Sequence, residues 1–416
     1  MNKCQELILT DIGHLAKDWE IKTLGEISHL MTNGFVGTAT SHYVDEQNGI
    51  LYIQGYNVEQ NSFNLKGIKY VSKEFHSKHL KSQLKEGDLL IIQTGDVGLT
   101  TFVNKTLEGS NCHALIITRL KNDVSEYKFI SHYLNSHKGR SRLKLLEIGS
   151  TMKHLNVGDL LDFKVPLPPL KEQQKIAQAL TDTDNYISAL GKLMEKKKLI
   201  KEGILSELFK NEKDWKAYTI EDLVLPNNGL IRGPFGGALK KEDFVDEGFK
   251  VYEQKNAIYK NIELGKYYIN KNKYRKLIRF TIQADDLILS CSGTIGKIYR
   301  IPTNFEKGVI NQALLIIRVN QNIIDLDYFE HYFNRRDFQS SIIDDTQGGA
   351  MKNLVGMPIF NKKVIYCPNI DKQKEISGIL NNLDTDIDSI NTKIDKARKL
   401  KQGMMQKLLT GEIRLV

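Results

Sequence analysis

From Leu170 to Phe209 the apolar positions fall at Ile176, Leu180, Ile187, Leu190 and Met194, with Thr183 in the one gap. That alternating four-three spacing sets a single stripe on a helix, and no proline interrupts it. From Ile370 to Leu409 the pattern returns at Ile376, Leu380, Leu383, Ile387, Ile390, Ile394 and Ala397. The two sets are displaced by 200 residues (376 − 176 and 394 − 194 alike), as are Gly203 and Gly403, and Lys201 and Lys401. Two long helices are predicted, each with one heptad seam, and the simplest partner for each seam is the other helix, run antiparallel. At ~1.5 Å per residue each would span roughly 60 Å. Beyond Met194 and Ile394 the apolar spacing tightens into a stammer, which overwinds a coiled coil. Gly203 and Gly403 follow it and are expected to mark close helix–helix approach.

Elsewhere the period changes. Ile50–Ile53, Asp88–Ile92 and Ala114–Ile117 are β-branched or aliphatic runs bounded by glycine, and they predict short strands. Phe129–Leu134 predicts a helix, and Val165-Pro166-Leu167-Pro168-Pro169 predicts an extended entry into the first long helix. A second copy of this order follows. Asp214-Trp215 echoes Asp18-Trp19, Asp286–Leu289 echoes Asp88–Ile91, Ala313–Val319 echoes Ala114–Leu120, and Tyr328–Asn334 echoes Phe129–Asn135. Gly348, Met351, Lys352 and Leu354 echo Gly149, Met152, Lys153 and Leu155. Offsets between 196 and 200 along the whole length indicate a tandem duplication. The expected fold class is α+β: two mixed domains joined by two long antiparallel helices, with rough pseudo-twofold symmetry. The boundaries read 1–17 lead-in, 18–168 first domain, 169–212 first helix, 213–368 second domain and 369–416 second helix.

Composition narrows the classes. Lys and Arg exceed Asp and Glu by nine (59 − 50), and the pI is near 9.0, which favours an anionic partner mildly. No apolar run approaches the ~20 residues that span a bilayer, so no membrane partner is expected. Cys4, Cys112, Cys291 and Cys367 are scattered, without a zinc or disulfide spacing, and a reducing cytoplasm is the natural compartment. No catalytic, cofactor or metal signature emerges. Gly293-Thr294-Ile295-Gly296-Lys297 has the wrong spacing for a phosphate loop. His76 and His79 share a helical spacing but lack companion ligands, and His132 and His331 sit among aromatics, which suggests packing.

Pro168-Pro169-Leu170-Lys171-Glu172-Gln173-Gln174-Lys175-Ile176, following a glycine-bearing segment at Gly149–Leu155, resembles the linker motif of type I restriction–modification specificity subunits. The second copy, Cys367-Pro368-Asn369-Ile370-Asp371-Lys372-Gln373-Lys374-Glu375-Ile376, is degraded but stays in register. The resemblance covers residues 18–416. It implies two target recognition domains, each reading half of a split site in double-stranded DNA. It implies paired helices that act as a ruler and dock two DNA methyltransferase subunits. Restriction/translocase subunits would add ATP-dependent cleavage, so this subunit would be non-catalytic and cofactor-free. Candidate DNA contacts are the cations Lys138, Arg140, Arg142, Lys144 and Lys153 in the first domain, and Lys271, Lys273, Arg275, Arg279, Arg335, Arg336 and Lys352 in the second. Two alternatives stay open: a specificity subunit serving a combined methyltransferase/nuclease, and a coiled-coil adaptor that binds no DNA.

Overall fold

A computed structural model describes residues 6–149, 153–210, 212–344 and 353–415. The chain divides into two compact units, Met1–Leu193 with Ile390–Val416, and Met194–Ser389.

In the first unit the most apolar runs take the centre of a four-stranded antiparallel sheet. Its order is Thr100–Phe102, Leu89–Ile92, Leu115–Leu120, Ser28–Asn33. Leu89–Ile92 and the first half of its neighbour, Leu115–Ile117, are apolar at every position because both faces of the sheet are covered there. Leu89, Ile91 and Ile116 enter one core with Phe129 and Leu134, while Leu90, Leu115 and Ile117 enter another with Ile53 and Val103. A smaller sheet orders Asn111–Cys112, Gly49–Ile53 and Lys69–Ser72, the first pairing parallel and the second antiparallel. A ribbon of Glu20–Thr23 and Lys164–Leu167 brings the two ends of the domain together.

The second unit repeats each arrangement. Its large sheet is ordered Ile298–Arg300, Leu287–Ser290, Leu314–Ile317, Leu230–Arg232. Its small sheet has Gly308–Ile310 parallel to Phe249–Tyr252, which pairs with Tyr268–Ile269; the short strand Phe244–Val245 is added at the edge. Its ribbon is Lys216–Thr219 with Val364–Cys367. Even the buried ion pair is duplicated: Arg119 grips the fully buried Asp88 through two nitrogens at 2.7 Å, and Arg318 grips Asp286 at 2.8 and 3.0 Å. Each carboxylate also caps a backbone N–H, of Lys85 and of Gln283, so the desolvated charge is fully partnered.

The long helices span Leu170–Leu208 and Ile370–Leu408, 39 residues each. Inside each unit the early turns of one lie against the late turns of the other. In the first, Lys401 meets Asp184 at 2.5 Å and the Thr183 hydroxyl meets the Met404 sulfur at 3.8 Å. In the second, Lys201 meets Asp384, the same pair with each partner displaced by 200. Thr183, the polar gap in the stripe, also donates to the Ala179 carbonyl at 2.9 Å. Ile176, Leu180, Leu190, Ile376, Leu380, Ile387, Ile390 and Ile394 are buried, whereas Ile187, Leu383 and Met194 are half-buried. The early stripe serves more than a helix pair. Ile176 and Leu180 share a core with Phe129, Tyr133, Leu408 and Leu409, and Ile376 and Leu380 share one with Phe329, Phe333 and Phe209. Gly203 and Gly403 do not mark close approach: a Cβ on either meets nothing within 4 Å. Gly403 lines a shallow apolar groove with Leu400 and Ile413.

One buried glutamine fixes each long helix to its domain. Gln173 Oε1 accepts the Glu126 N–H at 2.9 Å, while its Nε2 donates to the carbonyls of Val124 at 3.1 Å and Pro168 at 2.8 Å. Gln373 Oε1 accepts the Asp325 N–H at 2.8 Å, while its Nε2 donates to Ile323 at 3.4 Å and Pro368 at 2.9 Å. Both amides are thus satisfied by backbone from the loop preceding the domain's aromatic-rich helix, Tyr127–Asn135 or Leu326–Phe333, and by the helix's own entry. The first unit adds an ionic pin. Arg414 binds both oxygens of Glu172, itself only 2% exposed, at 2.5 and 2.6 Å, and reaches Asp18 at 2.8 Å. The tail after the second helix is thereby tied to the start of the first.

His132 and His331 hold the same junction. His132 Nε2 lies 3.2 Å from Thr181 Oγ1 on the first long helix and its Nδ1 lies 3.1 Å from Asn61 Nδ2; His331 Nε2 lies 2.7 Å from Asn381 Oδ1 on the second. Burial holds the His132 pKa down to about 3, with nearby Lys401 and Lys128 contributing, and burial lowers His331 as well.

Truncating Gln173 leaves the Glu126 N–H and the Val124 and Pro168 carbonyls without their partner, at about 1–3 kcal/mol for each group that stays buried. Gln173→Ala is expected to cost the first unit about 3 kcal/mol in denaturant unfolding. Gln178→Ala, which removes an exposed amide bonded to the Asp182 carboxylate, should cost under about 0.5 kcal/mol. Equal effects would show that the clamp is not what holds the helix.

The histidine gives a pH signature. An unfolded imidazole takes up its proton near 6.5, whereas folded His132 resists until about 3, so the unfolded state binds more protons between those values. Stability is therefore lost as pH falls below 6.5, by up to about 1.4 kcal/mol per pH unit for one such group. His132→Gln, destabilising at pH 7.5, should close its gap to the unsubstituted chain as pH falls toward 4.5. A gap independent of pH in urea titrations would contradict the assignment.

Candidate nucleic-acid interface

The cations singled out from the sequence divide by how their charge is used. Arg140 and Arg142 lie on the helix His137–Lys144, which the Ser136 hydroxyl caps. Arg140 donates to the Val97 carbonyl at 2.7 Å and pairs with Asp96. Arg142 donates to the Tyr133 hydroxyl and the Lys164 carbonyl, and its guanidinium stacks 4.4 Å from the Phe163 ring. These two guanidiniums bind their own domain. Lys138 and Lys144 on the same helix are exposed. Lys138 lines a cleft of about 680 Å³ with His137, Tyr133, Lys401 and Met405. Lys153 pairs with Glu147 at 2.9 Å.

In the second domain Arg335 pairs with Asp337 at 2.6 Å and lies over the rings of Phe209 and Tyr332 at 4.5 and 4.7 Å. Arg336, exposed, reaches Glu202 at 2.7 Å. Lys271, Lys273 and Arg275 lie on the short helix Lys271–Lys276, and Arg279 on the 3₁₀ turn that follows. Lys273 pairs with Asp243 at 2.8 Å. Lys271, Arg275 and Arg279 are exposed and have no carboxylate within pairing distance among the described residues. Lys352 lies outside the described residues. On the first long helix, Lys197 pairs with Asp386 and Lys198 with Glu195.

The two basic clusters named from the sequence therefore occupy non-equivalent elements. The topological counterpart of Lys271–Lys276 is the helix Lys73–Lys78, which follows the corresponding strand of the small sheet. Sequence reading passed over it because a glutamate, a phenylalanine, a histidine and a serine dilute its charge. Subtracting the duplication offset of 198 from the richer copy would have found it.

A histidine and aromatic group lies beside that helix. Phe35 packs edge-on to Phe75 at 4.9 Å and to His79 at 4.6 Å, and His42 lies 5.1 Å from Phe75. His76 Nδ1 bonds Asn111 Oδ1, and His113 Nε2 meets the Gly37 carbonyl at 3.0 Å. His76 and His79 thus make separate packing contacts. Among the described residues no group of three or more His, Cys, Asp or Glu side chains is placed to hold a metal ion, and no helix is long and apolar enough to cross a membrane. Cys112, Cys291 and Cys367 are buried free thiols; burial pushes Cys291 and Cys367 up to about 12, which leaves them protonated and inert. Cys4 lies outside the described residues.

Comparison with known proteins agrees with this arrangement. The Type I restriction modification DNA specificity domain matches the chain twice, over residues 16–201 and 212–399. The putative type I restriction enzyme MjaX specificity subunit of Methanocaldococcus jannaschii is 24% identical, across 98% of this chain and 96% of that one. The EcoBI specificity subunit of Escherichia coli is 23% identical, across 98% and 90%. Among solved structures, the S subunit of a type I restriction–modification system from M. genitalium superposes with a TM-score of 0.61 at 16% identity, over 94% of this chain and 96% of that one. With both copies of the domain matched and the duplicated sheets and helices in place, this chain belongs to the type I restriction–modification DNA specificity family.

Proposed function

We propose that the chain is the sequence-reading subunit of a type I restriction–modification complex. Each α+β domain reads one half of a split double-stranded DNA site, and the long helices set the spacing between halves. The chain supplies no bond-making chemistry of its own. It works in the cytoplasm by docking DNA methyltransferase subunits, two of them by the logic of the duplication, and restriction/translocase subunits. One observation carries this reading. The frame of each domain, from sheet order to the buried Asp–Arg pair to the glutamine clamp, is the same twice, while exposed side chains on that frame differ between copies. That is what two readers of different base sequences on one scaffold require, since phosphate contacts position and base contacts specify. A solved relative comes from work on complex assembly of the type I R-M system, which supports the docking role. Exposed Lys138, Lys144, Lys271, Arg275 and Arg279 are the DNA-facing candidates from the sequence that have no carboxylate partner among the described residues.

The test is modular. Replacing residues 18–150 with the equivalent segment of a relative of different specificity, in cells carrying the partner subunits, should change one half of the methylated site. The other half should remain. Methylome sequencing reads both. Simultaneous change of both halves would show that the domains do not read independently.

A further inference from the structure

The two domains have diverged at most exposed positions, so a charge kept at one register in both copies without a structural partner needs a reason. The short helices Lys73–Lys78 and Lys271–Lys276 are equivalent elements. Each follows a strand of the small sheet, Lys69–Ser72 or Tyr268–Ile269. Each is capped from the position before it: Ser72 Oγ accepts the Phe75 N–H at 3.1 Å, and Asn270 Oδ1 accepts the Lys273 N–H at 2.9 Å. Each runs on into a 3₁₀ turn, Leu80–Ser82 or Ile278–Phe280, and then a single bridge, Gln83 with Asn111 or Thr281 with Val309. Every one of these correspondences has an offset of 198.

At that offset the side chains mostly differ. Glu74 becomes Asn272, Phe75 becomes Lys273, His76 becomes Tyr274, Ser77 becomes Arg275 and His79 becomes Leu277. Three positions keep their charge: Lys73 and Lys271, Lys78 and Lys276, Lys81 and Arg279. All six are exposed, and among the described residues only Lys78 has a carboxylate partner, the solvent-exposed Glu74 one turn away. Apart from that solvent-exposed pair, these charges have no carboxylate partner among the described residues. The other basic helix behaves oppositely: at its offset of 199, Lys138 becomes Asp337, Arg140 becomes Gln339, Arg142 becomes Ser341 and Lys144 becomes Ile343. Base edges differ between half-sites, so side chains that read them should diverge. The phosphate backbone is the same in every half-site, so the cations that grip it need not.

We propose that this helix and the turn after it are the element by which each domain holds the DNA phosphate backbone, through Lys73, Lys78 and Lys81 in one domain and Lys271, Lys276 and Arg279 in the other. The proposal rests on the DNA-reading function above and assigns its sequence-independent part to named residues. Positions between the cations, His76 and Ser77 against Tyr274 and Arg275, then lie beside the backbone contacts with different chemistry in each domain.

Because phosphate contacts ignore sequence, the target site is not needed for the test. The probe is a mixed-sequence duplex of about 30 base pairs, bound by the full chain across roughly 50–200 mM salt. Lys73→Ala with Lys81→Ala, and separately Lys271→Ala with Arg279→Ala, should each reduce the slope of log affinity against log salt by about 1.8. Over that fourfold range the salt-induced loss of affinity becomes about 12-fold smaller. Charge-keeping Lys73→Arg with Lys81→Arg should restore the slope, which separates charge from folding. A slope unchanged in either neutralised pair overturns the inference. So does a drop confined to Lys138→Ala with Lys144→Ala, which would move the backbone contact to the other helix while leaving the DNA-reading function standing. If the unsubstituted chain shows no salt-dependent duplex binding, that function falls as well.

Discussion

Everything in each half depends on the glutamine at the start of its long helix. Helix N-termini and extended entry segments carry backbone groups with no partner of their own. Here one amide, Gln173 or Gln373, collects a donor and two acceptors from two separate segments. A primary amide can both donate and accept, which a carboxylate or an ammonium of similar size cannot. The aromatic-rich helix of the domain is thereby held at the first turns of the rod, where Ile176 and Leu180, or Ile376 and Leu380, complete its core. Domain and rod fold as one body at that joint, so a residue deep in the domain is positioned by the helix.

Charge is layered onto this frame in two ways. Buried charges are paired and duplicated: Asp88 with Arg119, Asp286 with Arg318. They specify which strands meet, since a mispaired carboxylate at those sites would be stranded in the core. The interhelix pairs Lys401–Asp184 and Lys201–Asp384 set register in the same manner but are more exposed and weaker. The halves are not identical in their fastenings. Arg414 binds Glu172 and Asp18 in the first unit, whereas the residue at the place of Glu172 in the second is Lys372, exposed and paired with Glu375. The terminal tail thus has an ionic lock with no counterpart at the chain's midpoint among the described residues.

The sequence by itself determined the duplication, the two long helices, the strand runs and the family. Each of these is carried by periodicity or by repeats at a fixed offset, and both are properties of the linear chain. The linker motif was visible as letters, and the reason for its glutamine was not. Two of its three partners lie 47 and 49 residues away, and only the folded chain brings Glu126 and Val124 to Gln173. Gly203 and Gly403 look like packing glycines from spacing alone, and tertiary structure leaves both facing open space. Basic clusters are likewise legible as composition but not as function. Whether an arginine is free depends on an acid or aromatic distant in sequence: Asp96 for Arg140, Phe163 for Arg142, Glu202 for Arg336. The sequence fixes which charges exist; only the tertiary structure decides which are spent inside the fold and which are left for a partner, because pairing is a matter of distance in space.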